Sequence, residues 1–349
     1  MSDTACSVPL GGRASLRLVL LALLVVAMIG SVSTGASGVS PLTMLGDYLS
    51  GAGISARDHV VLMNIRLPRL AMGLLVGAAL AVSGAVMQGL FRNPLADPGI
   101  VGVSTGAAFG AVSAIVLGGM LPAALLSLGQ YIVPVAAFLG AWGAVVVLYR
   151  IATRGGQTSV VVLLLAGIAL SALAAAATGV LVYMADDQQL RDLTYWQMGS
   201  LAGANWSKLT VGALLILPTL LLVPRLARGL NALTLGEAAA AHMGTDIQRL
   251  KRLAILGVAV LAGASVAMAG VIGFVGIIVP HLLRICAGPD HERLLVDAAI
   301  LGAALLVGAD MIARLILAPA ELPIGIVTAF LGAPVFLWIL LRRRSFGGI

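Results

Sequence analysis

Few side chains in this 349-residue chain could do chemistry, and the best placed are arginines and a proline-bounded polar turn. Arg66 and Arg69 stand in Arg-Leu-Pro-Arg at the head of an apolar run, and Phe91-Arg-Asn-Pro-Leu-Ala-Asp-Pro-Gly99 closes the other end of that run. Guanidinium groups at a membrane edge can fork onto carboxylates or simply snorkel toward water. A third arginine, Arg314, follows Asp310 by one helical turn. That spacing reads as an i, i+4 ion pair rather than the mid-membrane carboxylate of an ion-coupled carrier. The four histidines, His59, His242, His281 and His291, lack a second ligand at helical spacing and read as satisfied polar residues rather than metal ligands.

Enzymatic signatures are missing. There is no His-Glu-x-x-His, Gly-x-Ser-x-Gly or Cys-x-x-Cys. A phosphate-binding loop needs a lysine after a glycine-rich turn, and the two lysines, Lys208 in Asn-Trp-Ser-Lys and Lys251 in Gln-Arg-Leu-Lys-Arg, do not fit. The chain is therefore read as carrying no ATPase, no enzymatic activity and no bound metal or cofactor of its own. Its two cysteines, Cys6 and Cys286, form no spaced pair and read as structural bystanders.

What must position these residues is a membrane bundle. The chain is 60% hydrophobic and only 10% charged, with 43 glycines and a mean hydropathy of +1.08. Soluble domains carry about 25% charged residues, and apolar runs here reach the roughly 20 residues of a spanning helix. The fold class is all-α integral membrane, with ten apolar segments near 16–34, 68–90, 101–120, 130–150, 160–184, 207–226, 252–271, 274–288, 296–317 and 325–341. Arg13 and Arg17 before the first segment would also suit a cleaved signal peptide, but the Ser/Gly tail lacks a clear cleavage motif, and a retained helix is preferred. With both termini cytoplasmic, fifteen Lys/Arg fall inside and six outside, as the positive-inside rule requires. The net charge of +7 therefore follows topology and does not mark a nucleic-acid surface.

An internal echo is visible. Leu75, Gly77, Ala78, Ala81 and Gly84 recur 186 residues later as Leu261, Gly263, Ala264, Ala267 and Gly270, with Pro94 falling on Pro280. Five crossings lie between the copies, so they run in opposite directions, as in inverted-repeat transporters. Between segments six and seven, residues 231–250 read as two short capped helices. Thr234 to Glu237 and Thr245 to Gln248 have capping-box form, and Gly244 can end the first helix. A connection that long is read as a docking surface.

Set together, these motifs resemble the membrane permeases of ABC importers for cobalamin, iron–siderophores and haem. The likeness covers nearly all of the chain after Arg66. It rests on Arg66-Leu-Pro-Arg69, Asn93-Pro-Leu-Ala-Asp-Pro98, Gly273-Phe-Val-Gly276 with Pro280-His281, Ala309-Asp-Met-Ile-Ala-Arg314, Glu321-Leu-Pro-Ile-Gly325 and Leu331-Gly-Ala-Pro-Val-Phe336. The resemblance implies a single permease domain over 1–349 in the bacterial inner membrane, working as a homodimer of ten-helix subunits. It implies two cytoplasmic ATPase subunits that bind ATP and magnesium, and a periplasmic substrate-binding protein. It makes Arg66, Arg69 and Arg314 the receptors for glutamates of that binding protein. Asn93 and Leu95 become the cytoplasmic gate, Thr158 and Ser159 a second gate element, and Gly236, Glu237 and Gly244 the markers of ATPase coupling.

For cargo, Tyr195 to Trp206 and Phe91 to Gly99 look most like haem-importing members, ahead of ferric siderophore and then cobalamin. Met72, Met87 and Met198 could touch haem, but core packing is the better reading of each. Two other classes stay open at this stage: a stand-alone secondary transporter, and an intramembrane enzyme working through His281 or Asp310.

Overall fold

The computed structural model describes residues 10–35, 44, 46, 49, 50, 55–120 and 122–344. Cys6 and most of the 36–54 stretch lie outside them. Among the described residues, eight helices are long and apolar enough to cross a membrane, and two shorter apolar helices, Val275–Ala287 and Ile324–Trp338, bring the set to the ten expected segments.

In chain order the helices are α1 (Leu10–Ser33), α2 (Leu67–Leu90), α3 (Val103–Val116), α4 (Ile132–Ala152), α5 (Val160–Met184), α6 (Asp187–Met198) and α7 (Trp206–Leu222). They continue as α8 (Ala227–Leu233), α9 (Glu237–His242), α10 (Ile247–Ala269), α11 (Val275–Ala287), α12 (His291–Ile316) and α13 (Ile324–Arg344). Helix α2 grows out of a short helix, Ala56–Val60, through a π-helical turn, Val61–Arg66, with Pro68 just after that turn. One departure from an all-helical reading is a tiny antiparallel hairpin, β1 (Thr153–Arg154) with β2 (Gln157–Thr158). Gly155 and Gly156 both have positive φ, the requirement of a two-residue primed turn.

Lipid offers no hydrophobic drive between helices, so close packing of small residues must hold the bundle. Helix α2 is its axis: nearly every residue from Leu70 to Leu90 is buried. It packs against α12 in the opposite direction, with Gly73 beside Val307, Gly77 beside Gly302 and Gly89 beside His291. Gly84 lies against the backbone of Gly276 on α11, and Gly106 of α3 faces Gly140 of α4. At the other extreme, α5 buries only Leu163 and Gly167 in its own subunit.

The two copies of the sequence echo sit in the two most buried spans, α2 and α10, but their markers play different parts. Gly84 is a helix-interior contact, whereas Gly270 terminates α10 with φ 71°. Likewise Pro94 sits in the turn after α2, while Pro280 lies inside α11.

Candidate functional sites at the two ends of the bundle

At one end of α2, all three expected arginines converge. Arg69 is 7% exposed and forks onto Asp310, with Nε and Nη2 donating to Oδ1 at 3.0 and 2.9 Å. Its Nη1 donates to both oxygens of Glu321 at 2.8 and 2.9 Å. Arg314 pairs with Asp310 at 3.1 Å, the i, i+4 contact read from the sequence, and also donates to the Ser31 hydroxyl and the Thr34 carbonyl of α1's end. Arg66 donates to the Val32 carbonyl. Together with Glu321 and Pro319 the three line a cleft of about 180 Å³.

Three guanidiniums face two carboxylates here, which leaves one net positive charge (+3 − 2 = +1). Asp310 is sealed, its side chain 3% exposed, whereas Glu321 is 41% exposed and could be exchanged for another carboxylate. These arginines are built into the fold, so snorkelling does not account for them.

About 36 Å away along α2, at 1.5 Å per residue, the chain forms the polar turn. Arg92 takes φ 50°, and the Asn93 N–H returns to the Gln88 carbonyl at 3.1 Å. Asn93 Oδ1 then accepts from Leu95 N–H at 3.0 Å, an Asx turn. Asn93 is exposed and Leu95 partly so. Asp97 caps the next turn by accepting from Gly99 N–H at 2.8 Å.

Burial raises the Asp97 carboxyl above its ordinary value, and the Gly99 N–H opposes this in part. A raised carboxyl binds its proton more tightly in the folded chain than in the unfolded one, so its stabilising effect is full at acid pH. That effect fades as pH climbs through the carboxyl range. Asp97→Asn, which keeps the acceptor, should therefore raise the thermal midpoint at pH 8 and lose this advantage toward pH 4. A midpoint difference that grows on acidification would show the sign to be wrong.

Thr158 and Ser159, expected as a second gate element, lie directly against the 231–250 segment and the start of α10. Thr158 is 3% exposed; its N–H donates to Gln248 Oε1 at 2.9 Å and its carbonyl accepts from Lys251 Nζ at 2.8 Å. The same ammonium binds Glu237 Oε2 at 2.8 Å. Lys251, also 3% exposed, thus ties Thr158 to Glu237. Ser159 caps α5, accepting from Val162 N–H at 3.4 Å.

The capping boxes expected within 231–250 do not form as read. Gly236 has φ 102°, so the chain turns sharply before Glu237 and Thr234 cannot reach the new helix. Thr234 instead ends α8 and donates to the Asn231 carbonyl at 2.6 Å. The second cap is Asp246 rather than Thr245, accepting from Arg249 N–H at 2.9 Å, and it opens the span α10 itself rather than a second short helix. Gly244, with φ 81°, follows the end of α9 as expected.

Asn231, Gln88 and Arg284 were not singled out from the sequence, and Lys251 and Gln248 were read there without these contacts. The available signal was polarity out of place, since Gln88 and Arg284 each stand in otherwise apolar helices. Met72 and Met87 are fully buried, which supports packing.

Comparison with known proteins agrees with this anatomy. Residues 22–342 match the model of the FecCD transport family. The chain is 47% identical over 339 residues to the hemin transport system permease protein HmuU of Yersinia pestis, covering 96% of this chain and 99% of the relative. It is 43% identical over 328 residues to the vitamin B12 import system permease protein BtuC of Escherichia coli O9:H4, covering 94% and 95%. A solved ABC transporter assigned to the metal-chelate type, in an inward-facing conformation, superposes with a TM-score of 0.82 at 33% identity over 94% of this chain and 99% of its own. PsaBC from Streptococcus pneumoniae shares the fold, with a TM-score of 0.55 at 17% identity, over 84% of this chain and 94% of its own. The family match across almost the whole length and the relatives at 43–47% identity show that the chain belongs to the FecCD transport family, as a multi-pass permease subunit of an ABC importer.

Proposed function

We propose that this chain is the translocation subunit of an ATP-driven importer that passes haem from a periplasmic binding protein into the cytoplasm. It works as a homodimer in the inner membrane with both termini cytoplasmic, driven by two ATPase subunits that hold ATP and magnesium. The relative HmuU, a hemin permease, favours haem; the BtuC relatives favour cobalamin as the second reading. The exposed apolar face of α5 supports a second copy packing there.

In this reading Arg66, Arg69 and Arg314 receive carboxylates of the binding protein, Glu321 holding the Arg69 fork until a partner carboxylate replaces it. Residues 231–250, marked by Gly236, Glu237 and Gly244, dock the ATPase. Asn93 and Leu95 form the inner gate, with Thr158 and Ser159 as the second gate element. One observation carries the reading most directly: the Lys251 ammonium joins Glu237 of the docking segment to the Thr158 carbonyl of the gate.

The test is uptake by proteoliposomes holding the permease, the ATPase and the binding protein. Haem should accumulate only with ATP, and excess cyanocobalamin or ferric siderophore should not compete. Uptake of cyanocobalamin in place of haem would transfer the assignment to the second reading. For coupling, Lys251→Met should preserve assembly and ATP hydrolysis while cutting uptake per ATP at least tenfold. Wild-type stoichiometry in that variant would remove the link.

A further inference from the structure

A second polar connection leaves the docking segment and runs to the other gate. Asn231, on α8, accepts through Oδ1 from both the backbone N–H and the Nδ1 of His291, at 2.9 and 2.8 Å. Its amide nitrogen donates to Asp290 Oδ1 at 2.7 Å, which fixes the amide orientation. Nδ1 of His291 therefore carries the proton, and Nε2 is left as an acceptor facing Arg284 Nη2 at 3.5 Å. Arg284 in turn donates to Gln88 Oε1 at 2.7 Å. His291 is 1% and Gln88 2% exposed.

Gln88 is where this chain of bonds meets the moving parts. Pro280 has no N–H, so the Gly276 carbonyl loses its helical donor. Gln88 Nε2 reaches that carbonyl at 3.3 Å and the Ile277 carbonyl at 3.2 Å, sealing the proline break of α11. Its backbone carbonyl receives the Asn93 N–H of the gate turn at 3.1 Å. Gly89 makes room for the relay: a Cβ there would stand 2.5 Å from His291 Nε2.

Helix capping alone does not explain the arrangement. Asp290 already caps α12 through Glu292 N–H at 3.0 Å without help from Arg284 or Gln88. Arg284 forms no ion pair with a carboxylate among the described residues. A largely buried cation without a counter-charge is costly to keep, and the groups it engages are Gln88 and His291.

We propose that Asn231, His291, Arg284 and Gln88 are positioning residues that carry movement of the 231–250 segment to the Asn93 gate turn and to the proline break of α11. This is separate from the Lys251 link to Thr158, so each gate element has its own connection. The inference rests on the reading of 231–250 as the ATPase dock and of Asn93 and Leu95 as the inner gate.

The test uses the full transporter with its ATPase and binding protein in proteoliposomes. Leu95→Cys is introduced in a Cys6→Ser/Cys286→Ser background and labelled from the cytoplasmic side with a membrane-impermeant maleimide, with and without ATP. Gln88→Met keeps the length of the side chain but removes its polar atoms. Gln88→Glu keeps an acceptor for Arg284 but removes the donor to the Gly276 and Ile277 carbonyls. Asn231→Ala, outside the packed seam, serves as the second variant should Gln88→Met fail to assemble.

Gln88→Met should hydrolyse ATP within about twofold of wild type, and both it and Asn231→Ala should lose the ATP-dependent change in labelling and at least tenfold in uptake per ATP. Gln88→Glu, which lacks the donor to the Gly276 and Ile277 carbonyls, should restore neither. ATP-dependent labelling in the wild type that persists unchanged in Gln88→Met and Asn231→Ala overturns the relay alone. Labelling in the wild type that never responds to ATP overturns the gate reading, and the relay with it.

Discussion

Arg69→Met will destabilise the permease by about 3 kcal/mol, the lower end of what removing one partner of a buried ion pair costs. Asp310 is 2% exposed and is held by two guanidiniums; with Arg69 gone, Arg314 is its one remaining counter-charge. Glu321→Gln, at the same fork, should cost under about 1 kcal/mol, because Glu321 is 41% exposed and water can take over its solvation. Unfolding midpoints in detergent measure both. Equal small effects would mean that Arg314 alone is counter-charge enough for Asp310.

The difference matters for any docking experiment. Charge reversal at Arg69 places a third carboxylate beside Asp310 and Glu321, so loss of function there would report loss of fold. Arg66 donates to the Val32 carbonyl and lines the same cleft. Among complexes that assemble, Arg66→Glu should abolish stimulation of ATP hydrolysis by the binding protein. Retained stimulation in an assembled Arg66→Glu complex would remove the docking role of this end. Glu321→Gln should act in the opposite direction and strengthen binding-protein affinity, because it frees the Arg69 fork.

Gly84→Ala will cost about 3 kcal/mol or more and will reduce assembled protein to a small fraction of wild type. The added methyl would collide with the Gly276 carbonyl and Cα, which are backbone and cannot rotate away. Overpacking a well-fitted core typically costs about 1–3 kcal/mol, and a backbone–backbone seam belongs at the top of that range. The carbonyl is the same one that Gln88 satisfies beside Pro280, so any separation of α2 from α11 also exposes an unpaired acceptor. Gly143→Ala is the control. Nothing stands within 4 Å of its added Cβ, and alanine in a helix interior is favoured by up to about 1 kcal/mol. Yield and midpoint should hold or rise for Gly143→Ala. A Gly84→Ala protein as stable as Gly143→Ala would show that the two helices are not in contact at that point.

The sequence by itself determined the solvent, the number of spans and the family. Ten apolar runs of helix-spanning length with few charges leave helices as the way to satisfy backbone groups in lipid, and the family resemblance carried by the motifs from Arg66 to Phe336 agrees with the family model that matches residues 22–342. It also placed Asp310 with Arg314, because one helical turn is a local distance. Tertiary structure alone decided which polar groups meet. Arg69 reaches Asp310 across 241 residues, Lys251 reaches Thr158 across 93, and Arg284 reaches Gln88 across 196. No periodicity encodes such pairings, since they depend on how closely glycine seams let α2, α11 and α12 approach. The capping boxes went astray for a related reason: the pattern of Thr234 and Glu237 assumed a continuous turn, and the positive φ of Gly236 sends the chain elsewhere. Local spacing is legible in a membrane sequence because helices are rigid, whereas contacts between helices follow from small-residue packing, which apolar composition repeats too often to assign.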